Sequence, residues 1–584
     1  MAKTRLLALT ALMTLTALTA SAGKAAHARA DRIVEGHISQ VSIPWHFPSN
    51  RIDWSFNPTT KTAHFNPEWT WQLNRMGFWN DLAGAYTATK DEKYAQAFVR
   101  QLTDWLAQTK EGVPPESGYN GIGSRFRTIE EGIRLMSSWP RAEAAFRASP
   151  AFTDDLRRRF VASMRAQANH LIRHRTRGNW MLMEMTGAFT FACNHPEFPE
   201  SAEIRHEAFR VFAEAFTAQM LPDGIHNELS PDYQSVAFWT ALPVLRLAHE
   251  KGFADEIPAS LPTALERGYE GFLAMATPAF FQPRFNDCYT ISTSRALAAG
   301  RPFFPARQEF LWGATEGREG MPPAGATASR FLPWAGFAVM RTGWTKDAAY
   351  LAFDVGPLGM AHIHQDKLSF TLWKGDQELV FDDGGGQYEF SAARTYGRSG
   401  YDHNTLLVDG LAQQRKAPRA VTAPIDAGWT TTTERDYARG EYDQEYGPKG
   451  LRPARHVREI VFDKKNETFI VTDTITSLDG KAHDYELLFH LDTTNTVLSA
   501  AGRHLDAYYG RTWNLALDVT EGGIASTVVG QTKPRLSGWY IGRNDKTNHP
   551  ATTVSVRAPM PVRDHRFVTV LRPFAVSETS KRGN

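Results

Sequence analysis

Between about residues 66 and 295, apolar side chains recur at three- and four-residue spacing, the signature of amphipathic helices. Trp69, Trp71, Leu73, Met76, Phe78, Trp79, Leu82 and Tyr86 make the first block. Tyr94, Phe98, Leu102 and Trp105 continue it, as do Ile129, Ile133, Leu135 and Trp139. Further periodic blocks run over 156–174, 180–193, 202–220, 232–251 and 261–275. Short breaks holding Pro and Gly predict several antiparallel helices in an α/α arrangement, a curved toroid. From 299 to about 328 the periodicity collapses, and Gly317 to Pro323 is crowded with Gly and Pro, which predicts a linker or domain edge. Beyond it come short runs rich in Val, Ile, Phe and Thr: 335–340, 349–353, 369–373, 378–381, 405–408, 456–462, 468–472, 485–490, 553–556 and 566–571. Turn residues separate them, the pattern of an antiparallel β-sandwich.

The first residues carry a different signal. Lys3 and Arg5 precede an uncharged run from Leu6 to Ala20, followed by small residues at A-x-A spacing, Ala20-Ser21-Ala22 and Ala26-His27-Ala28. This predicts a secretory signal peptide over 1–28, with the run too short for a membrane span, and hence a periplasmic or secreted protein. The expected organisation is a leader (1–28), an α/α toroid (29–325) and a sandwich (326–584), since 584 residues exceed a single core. Cleavage after Ala28 removes three basic residues and no acid, taking the net charge from +2 to −1. Neither value points to nucleic acid or a membrane surface. The two cysteines, Cys193 and Cys288, allow at most one disulfide and no Cys-rich zinc site. The 12% aromatic content suits a large core or a sugar-binding cleft.

Candidate chemistry is densest at Ala361-His362-Ile363-His364-Gln365-Asp366. On a strand, His362, His364 and Asp366 share a face. Phe381-Asp382-Asp383-Gly384-Gly385-Gly386 and Asp402-His403-Asn404-Thr405 follow. Two imidazoles and a carboxylate from separate strands are a ligand set that zinc accepts; ordinary hydrogen-bonded histidines are the alternative. In the helical half, Arg177-Gly178-Asn179-Trp180 opens a block carrying Glu184, where Asn179 has the residue type of an N-cap. Leu221 to Gln234 holds a tight turn and a Ser230-Pro231 helix entry, with Tyr233 a packed residue or a functional one. The P-loop, H-E-x-x-H, EF-hand and G-x-S-x-G patterns are absent.

Several stretches resemble the heparinase II/III-like polysaccharide lyases, which include heparin, heparan sulfate and alginate lyases. EWTWQLNRM and FRTIEEGIR are similar to that family's opening helices, GNWMLMEMTGAF to its Asn-bearing helix, and DGIHNELSPDYQSVA to its tyrosine helix. HIHQDKLSFTLWKGDQELVFDDGG and YDHNTLLVDG are similar to the signature of its sandwich half. The resemblance implies an α/α toroid, a C-terminal antiparallel sandwich, and cleavage of a uronic-acid-containing polysaccharide by β-elimination to a 4,5-unsaturated product. It implies that Asn179 holds the uronate carboxylate, Tyr233 donates a proton (and is a candidate base), and His362 neutralises the substrate or acts as base. His364, Asp382 and His403 match zinc-binding positions, the ion being structural. Tyr396 and Arg398, in TYGRSGYDHN, match an approach that touches substrate, and Trp180, Glu184 and Gln234 become substrate-binding candidates. Trp180 and Gln234 stand where many members have histidine, a departure that argues against transferring alginate or heparin specificity. Two other classes remain open on the residues alone. A glycoside hydrolase on an α/α scaffold needs two carboxylates about 5–10 Å apart, for which Glu184, Glu228 and Asp232 are candidates. A non-catalytic glycan-binding protein needs neither.

Overall fold

The computed structural model describes residues 27–48, 51–117, 125–385, 388–542 and 547–575. The expected leader lies outside the described residues up to position 26, and residues 27–34 form a helix. The chain packs as two compact units, one made of Met1–Phe216 with Thr240–Ala259, the other of Thr217–Trp239 with Ser260–Asn584. This division differs from the helical and β halves.

The first unit is helical, with Glu68–Arg75, Trp79–Thr89, Glu92–Gln108, Thr128–Met136, Ser138–Phe146, Asp154–His174 and Asn179–Asn194 in succession. The first apolar block is two helices rather than one, because Met76 takes a left-handed φ of 53° and its N–H closes on Leu73. Trp79, Phe98, Trp139 and Phe160 pack ring to ring, with Trp79 and Phe98 4.9 Å apart and Trp139 and Phe160 4.7 Å. Trp54, Trp69 and Trp105 are also fully buried, so much of the aromatic content builds core. Helices Thr128–Met136 and Asn179–Asn194 meet backbone to backbone at two glycines. A Cβ on Gly187 would lie 2.5 Å from the Gly132 carbonyl oxygen, and one on Gly132 only 2.6 Å from that of Met183.

The second unit joins helices to sheets. Ser260–Met275, Thr293–Gly300 and Gln308–Ala314 are helical. The last falls inside the expected linker, which is therefore not unstructured throughout: Phe310 and Trp312 are buried there. Three side chains tie the helical segments of this unit to its strands. Asp223 accepts from the backbone N–H groups of Trp334 (2.7 Å) and Ala335 (2.8 Å). Tyr350 donates to the Met275 carbonyl and Arg341 to that of Ala274.

A five-stranded antiparallel sheet runs in chain order from Arg330–Leu332 to Gln377–Val380. A four-stranded sheet pairs Ile524–Val529, Thr552–Arg557, Tyr485–Leu491 and Leu406–Val408. An eight-stranded sheet runs Thr496–Leu498, His504–Ala507, Trp513–Glu521, Asp564–Ala575, Thr468–Ser477, Ala454–Asp463, Arg435–Tyr442 and Thr430–Thr431. One apolar core joins the three, from Leu351 and Phe370 through Leu487 to Ile460, Val471 and Leu571. Strand Arg435–Tyr442 escapes an apolar-run reading because its inward face is Asp436, Ala438, Gly440 and Tyr442. Asp436 is buried there because Ser329, Thr431 and Lys464 all reach it. Cys193 and Cys288 are both free and buried. Among the described residues no helix is long and apolar enough to cross a membrane.

Candidate active site

In the helical unit, Gly178 adopts φ 66° and ψ −149°, a conformation restricted to glycine, and starts helix Asn179–Asn194. Asn179 is therefore the first helical residue rather than the cap, and it is buried. Glu184, expected to meet substrate, is instead fully buried. Its carboxylate accepts from the Thr176 N–H (2.7 Å) and hydroxyl (2.8 Å), pinning the turn that delivers Asn179. Burial raises its pKa above the ordinary carboxylate value, against those hydrogen bonds. Trp180 is half-buried, and the Arg127 guanidinium lies over both its ring (4.8 Å) and that of Trp71 (3.7 Å).

The second unit holds the densest cluster. Tyr233, near the start of helix Pro231–Glu250, stacks on His362 with ring centroids 3.5 Å apart and planes 12° apart. Tyr388 reaches both: its hydroxyl is 2.9 Å from His362 Nδ1 and hydrogen-bonds the Tyr233 hydroxyl. His362 Nε2 is 3.8 Å from a Glu228 carboxylate oxygen. Gln234, expected to meet substrate, is instead buried. Its amide donates to the Gly224 and Gly268 carbonyls and accepts from the His226 N–H, locking the loop before Tyr233. His226 is fully buried beside that loop, and burial, with the nearby His362, lowers its pKa to about 3.

His362, His364 and Asp366 do not share a strand face. Residues 355–369 form a loop, and His362 has a left-handed φ of 56°. The turn sends His362 toward Tyr233, while His364 and Asp366 point into the unit, where they meet His403. Asp287 ties the two branches together. One oxygen lies 3.2 Å from His362 Nδ1 and the other 3.0 Å from His364 Nε2, while Arg394 donates to both at 2.6–2.7 Å. Burial alone would raise the Asp287 pKa, but His362, His364 and Arg394 hold it well below the usual carboxylate range.

His364, Asp366 and His403 each bring a possible ligand atom within 4.8 Å of the others, and His364 Nδ1, Asp366 Oδ1 and His403 Nε2 are buried without a hydrogen bond. Three orphaned ligand atoms of these types fit a divalent ion such as zinc. Asp382, expected as a ligand, lies outside that group, 3.1 Å from His403 Nδ1, and takes a hydrogen bond from Ser369. Asp366 is the carboxylate in the group of possible ligands. Gly384 and Gly385 follow from crowding, since a Cβ on Gly385 would sit 2.6 Å from His364 Cε1 and one on Gly384 1.7 Å from the Cys288 carbonyl oxygen.

Helix Ala392–Gly397 supplies Arg394 to this centre, whereas Tyr396 on the same helix is buried. Arg398 is exposed and hydrogen-bonds the Ile363 carbonyl. Sequence reasoning missed Asp287, Tyr388 and Arg394, which lie in FNDCY, QYEF and SAARTYG without a chemical motif around them.

Two family models match the chain, Heparinase II/III N-terminus over residues 12–312 and Heparinase II/III-like, C-terminal, over 324–573. A heparin-sulfate lyase from Pedobacter heparinus is 28% identical over 74% of this chain and 63% of its own length. One from Bacteroides stercoris is 27% identical over 61% of this chain and 56% of its own. The chain thus spans between half and two thirds of these curated relatives. A solved heparinase III superposes with a TM-score of 0.77 at 18% identity, covering 95% of this chain and 85% of that one. A heparan sulfate lyase structure from Pedobacter heparinus gives 0.68 at 23%, covering 94% and 83%. These likenesses establish an α/α toroid followed by an antiparallel sandwich as the fold. With both halves matched in order and over nearly the whole chain, the protein belongs to the heparinase II/III-like family.

Proposed function

We propose that this chain is a polysaccharide lyase that cleaves a uronic-acid-containing polysaccharide by β-elimination. The observation that carries the proposal is the Tyr233–His362–Tyr388 cluster, two phenols and an imidazole in mutual contact. The reaction needs that inventory. A base takes the C5 proton, the electron pair forms the C4–C5 double bond, the C4–O bond breaks, and an acid protonates the leaving oxygen. His362 Nε2 takes the C5 proton, because Nδ1 faces Asp287 and Tyr388. Tyr233 supplies the proton to the leaving oxygen, its phenol being protonated near neutrality in its ordinary state. Tyr388 holds both groups by hydrogen bonds, and after each turnover the Nε2 proton of His362 passes to solvent while Tyr233 regains a proton from solvent. The family motif supports a carboxylate-binding role for Asn179, and the exposed Arg398 guanidinium suits an acidic chain.

His364, Asp366 and His403 would hold a zinc ion, with Asp382 and Asp287 behind two of the imidazoles. The ion would fix the loop that presents His362. The leader-like residues 1–28 support export to the periplasm or beyond. A panel of uronate polysaccharides tests the reading. A rise in ultraviolet absorbance from the conjugated double bond is expected with at least one of them, and a flat response across all of them refutes it.

A further inference from the structure

Asp287 touches both the histidine of the proposed reaction and a histidine of the proposed metal centre. Its two oxygens point to different rings, to Nδ1 of His362 and to Nε2 of His364. A carboxylate only accepts hydrogen bonds, so each of those nitrogens carries the proton of its neutral ring. The consequences are opposite in the two imidazoles. His362 is left with Nε2 bare, the nitrogen on the Glu228 side, and His364 with Nδ1 bare, a buried atom without a hydrogen bond on a ring grouped with Asp366 and His403.

The carboxylate is itself fixed. Arg394 reaches both of its oxygens, and the same guanidinium donates to the Gly385 carbonyl. The Asp287 N–H closes on the His362 carbonyl at 3.0 Å, and the neighbouring Asn286 side chain accepts from the His364 N–H at 2.9 Å. Backbone and side chain therefore lock residues 286–287 against the 362–364 segment at both ends. His403 shows the same arrangement singly, with Asp382 on Nδ1 and Nε2 buried without a hydrogen bond.

We infer that Asp287 is a shared positioning residue, a single carboxylate that selects the tautomer of His362 for proton transfer and of His364 for metal binding. The His362 half rests on the lyase reading; the His364 half does not. The link has a functional meaning, because a change at either imidazole is transmitted to the other through one side chain.

The experiment uses the full chain loaded with zinc. In its crystal structure the ion should lie on His364 Nδ1, with Nε2 still on Asp287; an ion on Nε2, or no stoichiometric zinc at all, overturns the inference. This readout needs no variant, so it decides the matter even where a substitution fails to fold. In solution, Asp287→Asn keeps the shape but places an amino group against one of the two ring N–H groups. Zinc affinity, measured by competition with a chelator, should fall about 10–100-fold, and kcat by a similar factor with KM within about twofold. Wild-type affinity and kcat in a folded Asp287→Asn protein overturn it. Lost zinc affinity beside a wild type that turns over no uronate chain sinks the lyase reading and leaves the His364 assignment standing.

Discussion

Gly132→Ala puts the packing of the helical unit to a quantitative test. Gly132 lies inside helix Thr128–Met136, where alanine is favoured over glycine by about 1 kcal/mol in a free helix. The neighbouring helix reverses that preference. The added Cβ would stand 2.6 Å from the Met183 carbonyl oxygen, 2.7 Å from its carbon and 2.8 Å from Glu184 Cα. An ordinary carbon–oxygen contact is about 3.3 Å or more, so the helices must part by about 0.7 Å. The contacting atoms are backbone and cannot swing aside. Overpacking of this kind costs about 1–3 kcal/mol, which offsets the propensity gain and leaves a net loss of up to about 2 kcal/mol. Chemical denaturation followed by circular dichroism reads the difference, and thermal midpoints should fall by about 2–4 °C per kcal/mol. Gly84→Ala is the control. It is also inside a helix, its nearest neighbour would be the flexible Arg141 tip at 3.8 Å, and it should be stabilising. Adding Gly187→Ala to Gly132→Ala should cost less than the sum of the two alone, since helices already parted accept the second methyl. Stabilisation by Gly132→Ala matching that of Gly84→Ala would refute the close-contact argument. Helix Asn179–Asn194 bears Asn179, so the same displacement should also lower kcat/KM on the proposed substrate.

Other consequences are open to measurement. Tyr233→Phe should lower kcat about 100- to 10,000-fold without changing the circular dichroism spectrum, and a variant with full activity removes the acid assignment. Asp366→Asn and His403→Ala should abolish stoichiometric zinc, whereas Asp382→Asn should weaken it about 10–100-fold and retain one ion at saturation. The reverse pattern between Asp366 and Asp382 would show that the ligand set is wrong. Glu143 and His195 give a pH signature in the helical unit, with Glu143 3.2 Å from His195 and 3.1 Å from Arg157. Burial opposes the charge on Glu143, but His195 and Arg157 outweigh it and hold the carboxyl at about 2, against an ordinary 4.5. Burial likewise opposes the charge on His195, whose carboxylate neighbours lift it above its ordinary 6.5. The Glu143 contribution is therefore full above about 4.5 and lost as pH falls toward 2. That of His195 is full below about 6.5 and lost as pH rises through its raised value. The stability gap between wild type and Glu143→Gln should be widest between these limits, and a gap constant from pH 3 to 9 contradicts the pairing.

Most helical blocks could be read from apolar spacing, and most strands from short runs rich in Val, Ile, Phe and Thr, several of them buried on both faces. What escaped was structure set by polar or backbone contacts. Met76 splits a helix that periodicity joins, and Arg435–Tyr442 hides a strand behind a buried aspartate. At the site, Tyr233 and His362 were legible through their motifs, and the structure stacks them. The alternation of His362, His364 and Asp366 suggested a shared strand face, yet a left-handed residue turned the first away. Gln234 and Glu184 look like ligands in sequence because they are polar beside a motif; in the fold their groups are spent on loops. Asp287 and Tyr388 had no signal, since their roles come from a loop of one segment meeting a loop of another, which no local pattern encodes.

The central claim is that a uronate chain is broken by elimination and not by water. Mass spectrometry of the oligosaccharides released from a uronate polysaccharide tests it most directly. Elimination adds no water, so the new non-reducing end should be one water lighter than that of a hydrolysis product and should absorb in the ultraviolet. Products carrying the full water, with no unsaturation, would contradict the account.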